Sequence, residues 1–185
     1  MIMARAALFA LLAYWTVGLG SGARAAGFLD LVNLAFHEAG HLFLTPFGET
    51  MQFLGGTLGQ LAVPAGLVVY FLAVKRQPFA AAVCAWWIGE SLINIAAYMA
   101  DARDLALPLV GGGHHDWNTL FYTFGLLSEE SVRFVSTSTR VTGLIVMIAG
   151  LAWAASFLLS GGLRERFDAF VSGRAPALRM MFVAD

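Results

Sequence analysis

Apolar positions in this chain run in long unbroken stretches rather than on one stripe of a soluble helix: Ala6–Gly22, Leu29–Phe47, Thr57–Val74, Phe79–Ala100 and Val141–Ser160. Each lies near the roughly twenty residues that an α-helix needs to cross a hydrocarbon core about 30 Å thick. The pattern predicts an all-α, polytopic membrane bundle of about five transmembrane helices. The first stretch is ambiguous, because Arg5 precedes it and Ala23-Arg24-Ala25 follows it in the manner of a secretory signal peptide with an A-x-A cleavage site. Its apolar run is longer than a usual signal core, so a retained helix is expected.

Lys and Arg in short loops set membrane orientation. With Arg24, then Lys75 and Arg76, then Arg164, Arg166, Arg174 and Arg179 on the cytoplasmic side, five crossings alternate without conflict and the amino terminus lies outside. Only Arg5 argues the other way. Residues 1–160 then read as a transmembrane catalytic domain, and 161–185 as a basic cytoplasmic tail forming an interfacial helix.

The composition agrees. Of 185 residues, 59% are hydrophobic and 12% charged, against about a quarter charged in soluble domains, and the mean hydropathy is +0.74. The expected location is a bacterial-type inner or plasma membrane, among membrane lipids. A net charge of −1 gives no electrostatic footprint for nucleic acid. Cys84 is the single cysteine; it excludes an intrachain disulfide or a cysteine metal site and is expected to pack.

Within the second apolar stretch lies His37-Glu38-Ala39-Gly40-His41, an H-E-x-x-H motif. Residues four apart share a helix face, so the two imidazoles converge on one point and can ligate one Zn²⁺, with Glu38 placed to take a proton from water. Ionisable groups are costly in hydrocarbon and tend to mark functional sites there. A catalytic zinc usually takes three protein ligands. The third is expected from the polar run after the fourth stretch, where Gly111-Gly112-Gly113-His114-His115-Asp116 holds the remaining histidines. Asp116 and His115 lead, followed by His114 and Asp101. Asn94 suits hydrogen bonding to an extended substrate or to neighbouring helices, and Glu90 in the same span suits support of a ligating histidine or pairing with another charge; Asn94, Asp101, His114 and His115 are the candidates for substrate contact or for support of the ligands. Gly55-Gly56 and Gly59 suit close packing on the motif helix. Trp86, Trp87, Tyr98 and Trp117 suit an interfacial belt.

His-Glu-Ala-Gly-His in an apolar helix, the Gly55-Gly56-Thr57-Leu58-Gly59 segment after it, and Asn94 followed by a Pro- and Gly-containing stretch ending at Asp116 resemble the site-2-protease class of intramembrane zinc metalloproteases. The resemblance implies His37, His41 and Asp116 as zinc ligands, Glu38 as base, and a membrane-protein or peptide substrate. The chain departs from the class in lacking its Leu-Asp-Gly, in placing two histidines before Asp116 and Trp117 after it, and in having no inserted PDZ-like domain. Two other classes compete. A di-iron membrane oxidase can use histidine boxes, but four histidines are few for two irons. A non-enzymatic scaffold or transporter can also bury polar groups.

Overall fold

The computed structural model describes residues 2–22, 27–109 and 114–159, together with Ala169. Among these residues there are six α-helices and no strand: α1 (Ile2–Gly20), α2 (Phe28–Leu44), α3 (Glu49–Ala73), α4 (Pro78–Ala100), α5 (Asp116–Thr123) and α6 (Glu129–Leu159). A 3₁₀ turn, Thr45–Phe47, joins α2 to α3. The Ala23-Arg24-Ala25 site, the three-glycine run and the tail expected at 161–185 lie outside the described residues, Ala169 excepted.

α4 is the centre of the bundle. In its most apolar window 61% of residues are buried, against 11%, 17% and 22% for α1, α3 and α6, so those three helices surround it. α3 and α4 form an antiparallel hairpin whose turn is set by Arg76 in the left-handed region (φ 53°) and by Pro78 at the start of α4. Proline suits that place because its missing N–H would have had no intrahelical partner. α6 returns antiparallel to α4, with Gly150 beside Trp86 and Ala154 beside Ala82. α1 lies against both: Trp86 Nε1 donates to Thr16 Oγ1 at 2.8 Å, and Arg140 Nη2 donates to Leu19 O at 2.8 Å. Between helices in hydrocarbon there is little hydrophobic driving force, so close backbone approach and interhelical hydrogen bonds like these carry the association.

The outside of the bundle is apolar. Val17, Leu31, Leu42, Phe43, Val69, Phe134 and Ile145 are all more than half exposed, which in water would be an aggregation liability and in lipid is a solvated surface. Four helices, α1, α3, α4 and α6, are long and apolar enough to cross a membrane. This is one fewer than the five expected. The difference is α2: it has 17 residues, a rise of about 26 Å at 1.5 Å per residue, and it carries Asp30, Asn33, His37, Glu38 and His41 along that length. Two further differences have a common origin in polar sequence. α6 begins twelve residues before the predicted span, taking in Glu129 to Arg140, and α5 occupies a segment expected to be loop.

Losing one crossing changes which basic residues share an end. The Arg5 guanidinium stacks over the Phe79 ring at 5.4 Å, so the start of α1 lies beside the Lys75-Arg76 turn. The far end of α1 reaches Arg140 through Leu19 O. Gly22 and Gly27 therefore lie toward the end opposite Lys75 and Arg76; Arg24, grouped with Lys75 and Arg76 in the sequence reading, lies outside the described residues.

Candidate metal centre

α2 and α3 touch backbone to backbone. A Cβ added at Gly55 would lie 2.5 Å from Gly40 O, and one at Gly40 would collide with the Gly55 carbonyl. The expectation that these glycines serve close packing on the motif helix is met. This contact fixes the height of α2 against α3 and sets where its histidines point.

His37 and His41 present their rings to each other edge to face, with centroids 4.7 Å apart. Asp116, seventy-nine residues after His37, joins them as the first residue of α5. His37 Nε2 is 2.8 Å and His41 Nε2 3.2 Å from the same oxygen, Asp116 Oδ2. Ligand atoms of the three residues all fall within 4.8 Å of one another. A tetrahedral zinc with bonds of about 2.0–2.2 Å separates its ligand atoms by about 3.3 Å. The two contacts to Asp116 thus need to widen by about half an ångström or less to hold such an ion, and two imidazoles with one carboxylate are a suitable donor set.

The surroundings orient these donors. His41 Nδ1 lies 2.7 Å from Gln52 O in α3. A carbonyl can only accept, so Nδ1 is the donor there, and in the neutral ring Nε2 is the nitrogen left to ligate a metal. The imidazole of His37 rests directly on the Cα of Gly56, where any Cβ would overlap the ring. Burial alone pushes the Asp116 carboxyl up, but its hydrogen bonds with His37 and His41 outweigh burial and hold it below the ordinary carboxylate value. Glu38, on the next position of α2, is exposed, and its carboxylate is near enough to act electrostatically on His41.

His115 is turned away from this cluster. Its Nδ1 accepts from Asn118 N at 3.2 Å and so caps α5. Burial lowers the imidazole pKa, and the neutral ring then carries its proton on Nε2, which faces Asp101 Oδ2 at 3.4 Å. The residue read as an alternative ligand instead starts the helix that delivers Asp116. Asp101 closes the end of α4, accepting from Ala106 N and Leu107 N at 3.0 Å each. His114 is exposed. Neither joins the cluster of His37, His41 and Asp116.

Asn94 belongs to a second polar cluster nearer the start of α2. It donates to Asp30 Oδ1 at 2.8 Å and accepts from Gln60 Nε2 at 3.1 Å. Beside it, buried Asn33 donates to Glu90 Oε2 at 2.9 Å and accepts from Trp87 Nε1 at 2.8 Å. Glu90 thus accepts a hydrogen bond from Asn33. These bonds link the polar face of α2 to α4 and satisfy groups that would otherwise be stranded in an apolar interior.

Two residues at the centre escaped the sequence reading. Tyr98, assigned to an aromatic belt, accepts from Asp116 N at 3.2 Å through its hydroxyl, and its ring packs against His37 and His115 with centroid distances of 5.8 and 4.1 Å. Trp86 likewise is not a belt residue, being 1% exposed. Gln52 acts through its backbone carbonyl, for which a side-chain pattern carries no signal. Cys84 is buried and packs, as expected. No protein-family model matches this chain, and no curated protein or solved structure shows significant similarity to it.

Proposed function

We propose that the chain is a multi-pass integral-membrane zinc metallopeptidase that hydrolyses peptide bonds in or near the bilayer, with His37, His41 and Asp116 as zinc ligands and Glu38 as general base. The observation that carries this reading is the meeting of His37 Nε2 and His41 Nε2 at one Asp116 oxygen, in a chain whose motif places a carboxylate directly after the first histidine. Bound zinc supplies Lewis acidity to the scissile carbonyl and to water. Asp116 contributes negative charge to the ligand set, Gln52 O holds His41 in the ligating tautomer, and Glu38 takes the water proton and later gives it to the leaving nitrogen. The exposure of Glu38 suits a site reached by water from one end of the bundle.

The di-iron reading is less well supported. The one metal-ligating group found among the described residues has three members, enough for one ion, and the other two histidines lie outside it.

Four crossings put the start of α1 and the end of α6 on one side. Arg5, Lys75 and Arg76 share an end of the bundle, and Arg164, Arg166, Arg174 and Arg179 follow α6 in sequence, so this end is cytoplasmic by the positive-inside rule. The metal centre, with Asp101, Asp104 and Glu129 near it in the chain, then opens to the opposite side.

The test is metal analysis and cleavage with detergent-purified protein. Wild type should carry one zinc per chain, lost in His41→Ala and Asp116→Ala and kept in His114→Ala. Glu38→Gln should keep the zinc and lose about 10²–10⁴-fold in cleavage of a membrane-embedded peptide, the range for removing a general base. Full turnover by Glu38→Gln rules the mechanism out.

A further inference from the structure

The Tyr98 hydroxyl sits beside the cluster of His37, His41 and Asp116. Its oxygen accepts from Asp116 N, which uses a lone pair and leaves the phenolic proton free to be donated. Among the described residues no acceptor for that proton lies within hydrogen-bonding geometry, although the ring is held between His37 and His115. Tyr98 is half-buried, so the hydroxyl is neither sealed in the core nor free in solvent. The carboxylates of Asp116 and Glu38 both act on it electrostatically. A donor is therefore fixed beside the ligand set, on a rigid helix, with its hydrogen uncommitted.

We propose that Tyr98 is a catalytic residue that donates its hydroxyl hydrogen bond to the carbonyl oxygen of the scissile peptide as that oxygen gains negative charge. The proposal rests on the peptidase reading above. In the step, Glu38 takes a proton from water and the water oxygen bonds to the carbonyl carbon. The carbonyl π pair moves onto its oxygen, which accepts a hydrogen bond from Tyr98 Oη. Collapse re-forms the carbonyl, breaks the C–N bond and sends the Glu38 proton to the leaving nitrogen. Tyr98 keeps its own proton throughout; one water is consumed, and the carboxylic acid and amine first formed exchange a proton to leave a carboxylate and an ammonium. A donor that is oriented before reaction and aimed at developing charge is worth more than the same donor in water, because it needs no reorganisation.

A purely structural tyrosine makes a different prediction. Removing the hydroxyl would then free Asp116 N, loosen α5 and weaken zinc binding. The experiment compares full-length wild type, Tyr98→Phe and Glu38→Gln, reconstituted in phosphatidylcholine–phosphatidylglycerol vesicles with a fluorogenic single-span peptide, and reads zinc content, kcat and KM. The expected result for Tyr98→Phe is one zinc per chain, KM within about twofold, and kcat lower by about 10²–10³-fold, the usual loss for one oxyanion donor. A kcat within about threefold of wild type overturns the proposal, and so does loss of zinc from Tyr98→Phe. A wild-type protein that binds zinc but does not cleave overturns the peptidase reading together with this one, whereas an active wild type with an equally active Tyr98→Phe overturns only the role of Tyr98.

Discussion

Gly56→Ala should weaken zinc binding at the proposed centre without replacing His37, His41 or Asp116. A Cβ at this position would overlap His37 Cε1 and Nε2 and lie 2.7 Å from Cδ2, where ordinary van der Waals contact begins at 3.4 Å. The ring must therefore retreat by about 1 Å, because α3 cannot: at the preceding residue, Gly55 already meets Gly40 backbone to backbone, and separating the helices would open that contact as well. Metal sites tolerate distance errors of about 0.2 Å, so a 1 Å displacement of Nε2 costs His37 as a ligand or strains the core by about 1–3 kcal/mol to restore it. Either route lowers zinc affinity by at least the 10–100-fold typical of supporting residues around a metal.

The assay is competition with a chromophoric chelator on detergent-purified protein, alongside thermal unfolding followed by tryptophan fluorescence. Gly66→Ala is the control, since a Cβ there meets nothing within 4 Å and should leave both readings unchanged. Zinc affinity of Gly56→Ala within about threefold of wild type would refute the claim that His37 is held against the α3 backbone.

Other expectations follow from the same contacts. Asn33→Ala removes a partner from both Glu90 Oε2 and Trp87 Nε1 and should lower stability by about 2–5 kcal/mol, the sum of one charged and one neutral bond lost, seen as a lower unfolding temperature with zinc still bound. Asp104→Cys should react with a membrane-impermeant maleimide added outside intact cells and Arg76→Cys should not, Cys84 being buried; the reverse labelling would invert the orientation. His115→Ala removes the cap of α5 and should weaken zinc binding by about 5- to 30-fold, as a lost cap costs about 1–2 kcal/mol, whereas direct ligation by His115 would abolish it.

The helical class and the hairpin of α3 and α4 were legible because long apolar runs carry that information directly. The span count was misjudged at α2, where apolar residues between polar ones lengthened the apparent stretch beyond the 17-residue helix. The polar start of α6 was invisible to a search for apolar runs, since Glu129 to Arg140 resembles a loop by composition. At the site, the i, i+4 spacing of His37 and His41 sufficed to put them on one face. Asp116 and His115 were not separable by spacing: adjacent residues at a helix start point in different directions, and only the capping bond from Asn118 N to His115 Nδ1 decides which one turns inward. Tyr98 was misassigned because an aromatic near a span end has the same sequence signature in a belt as beside a metal ligand.

The shortness of α2 bears on how a polar helix survives in this setting. A spanning helix with Asp30, Asn33, His37 and His41 on one face would have to hide that face along its whole length, since the bilayer satisfies none of these groups. α2 meets the requirement through two neighbours. Its glycine contact with α3 brings Gln52 O to His41 and leaves room for the His37 ring over Gly56. Its other polar side chains reach α4, where Glu90, Ser91 and Asn94 recur at helical spacing and bond Asn33 and Asp30. The apolar Leu31, Leu42 and Phe43 stay exposed. Partners for the polar groups on one side and an exposed apolar surface on the other let a 17-residue helix carry the histidines, with Glu38 left exposed.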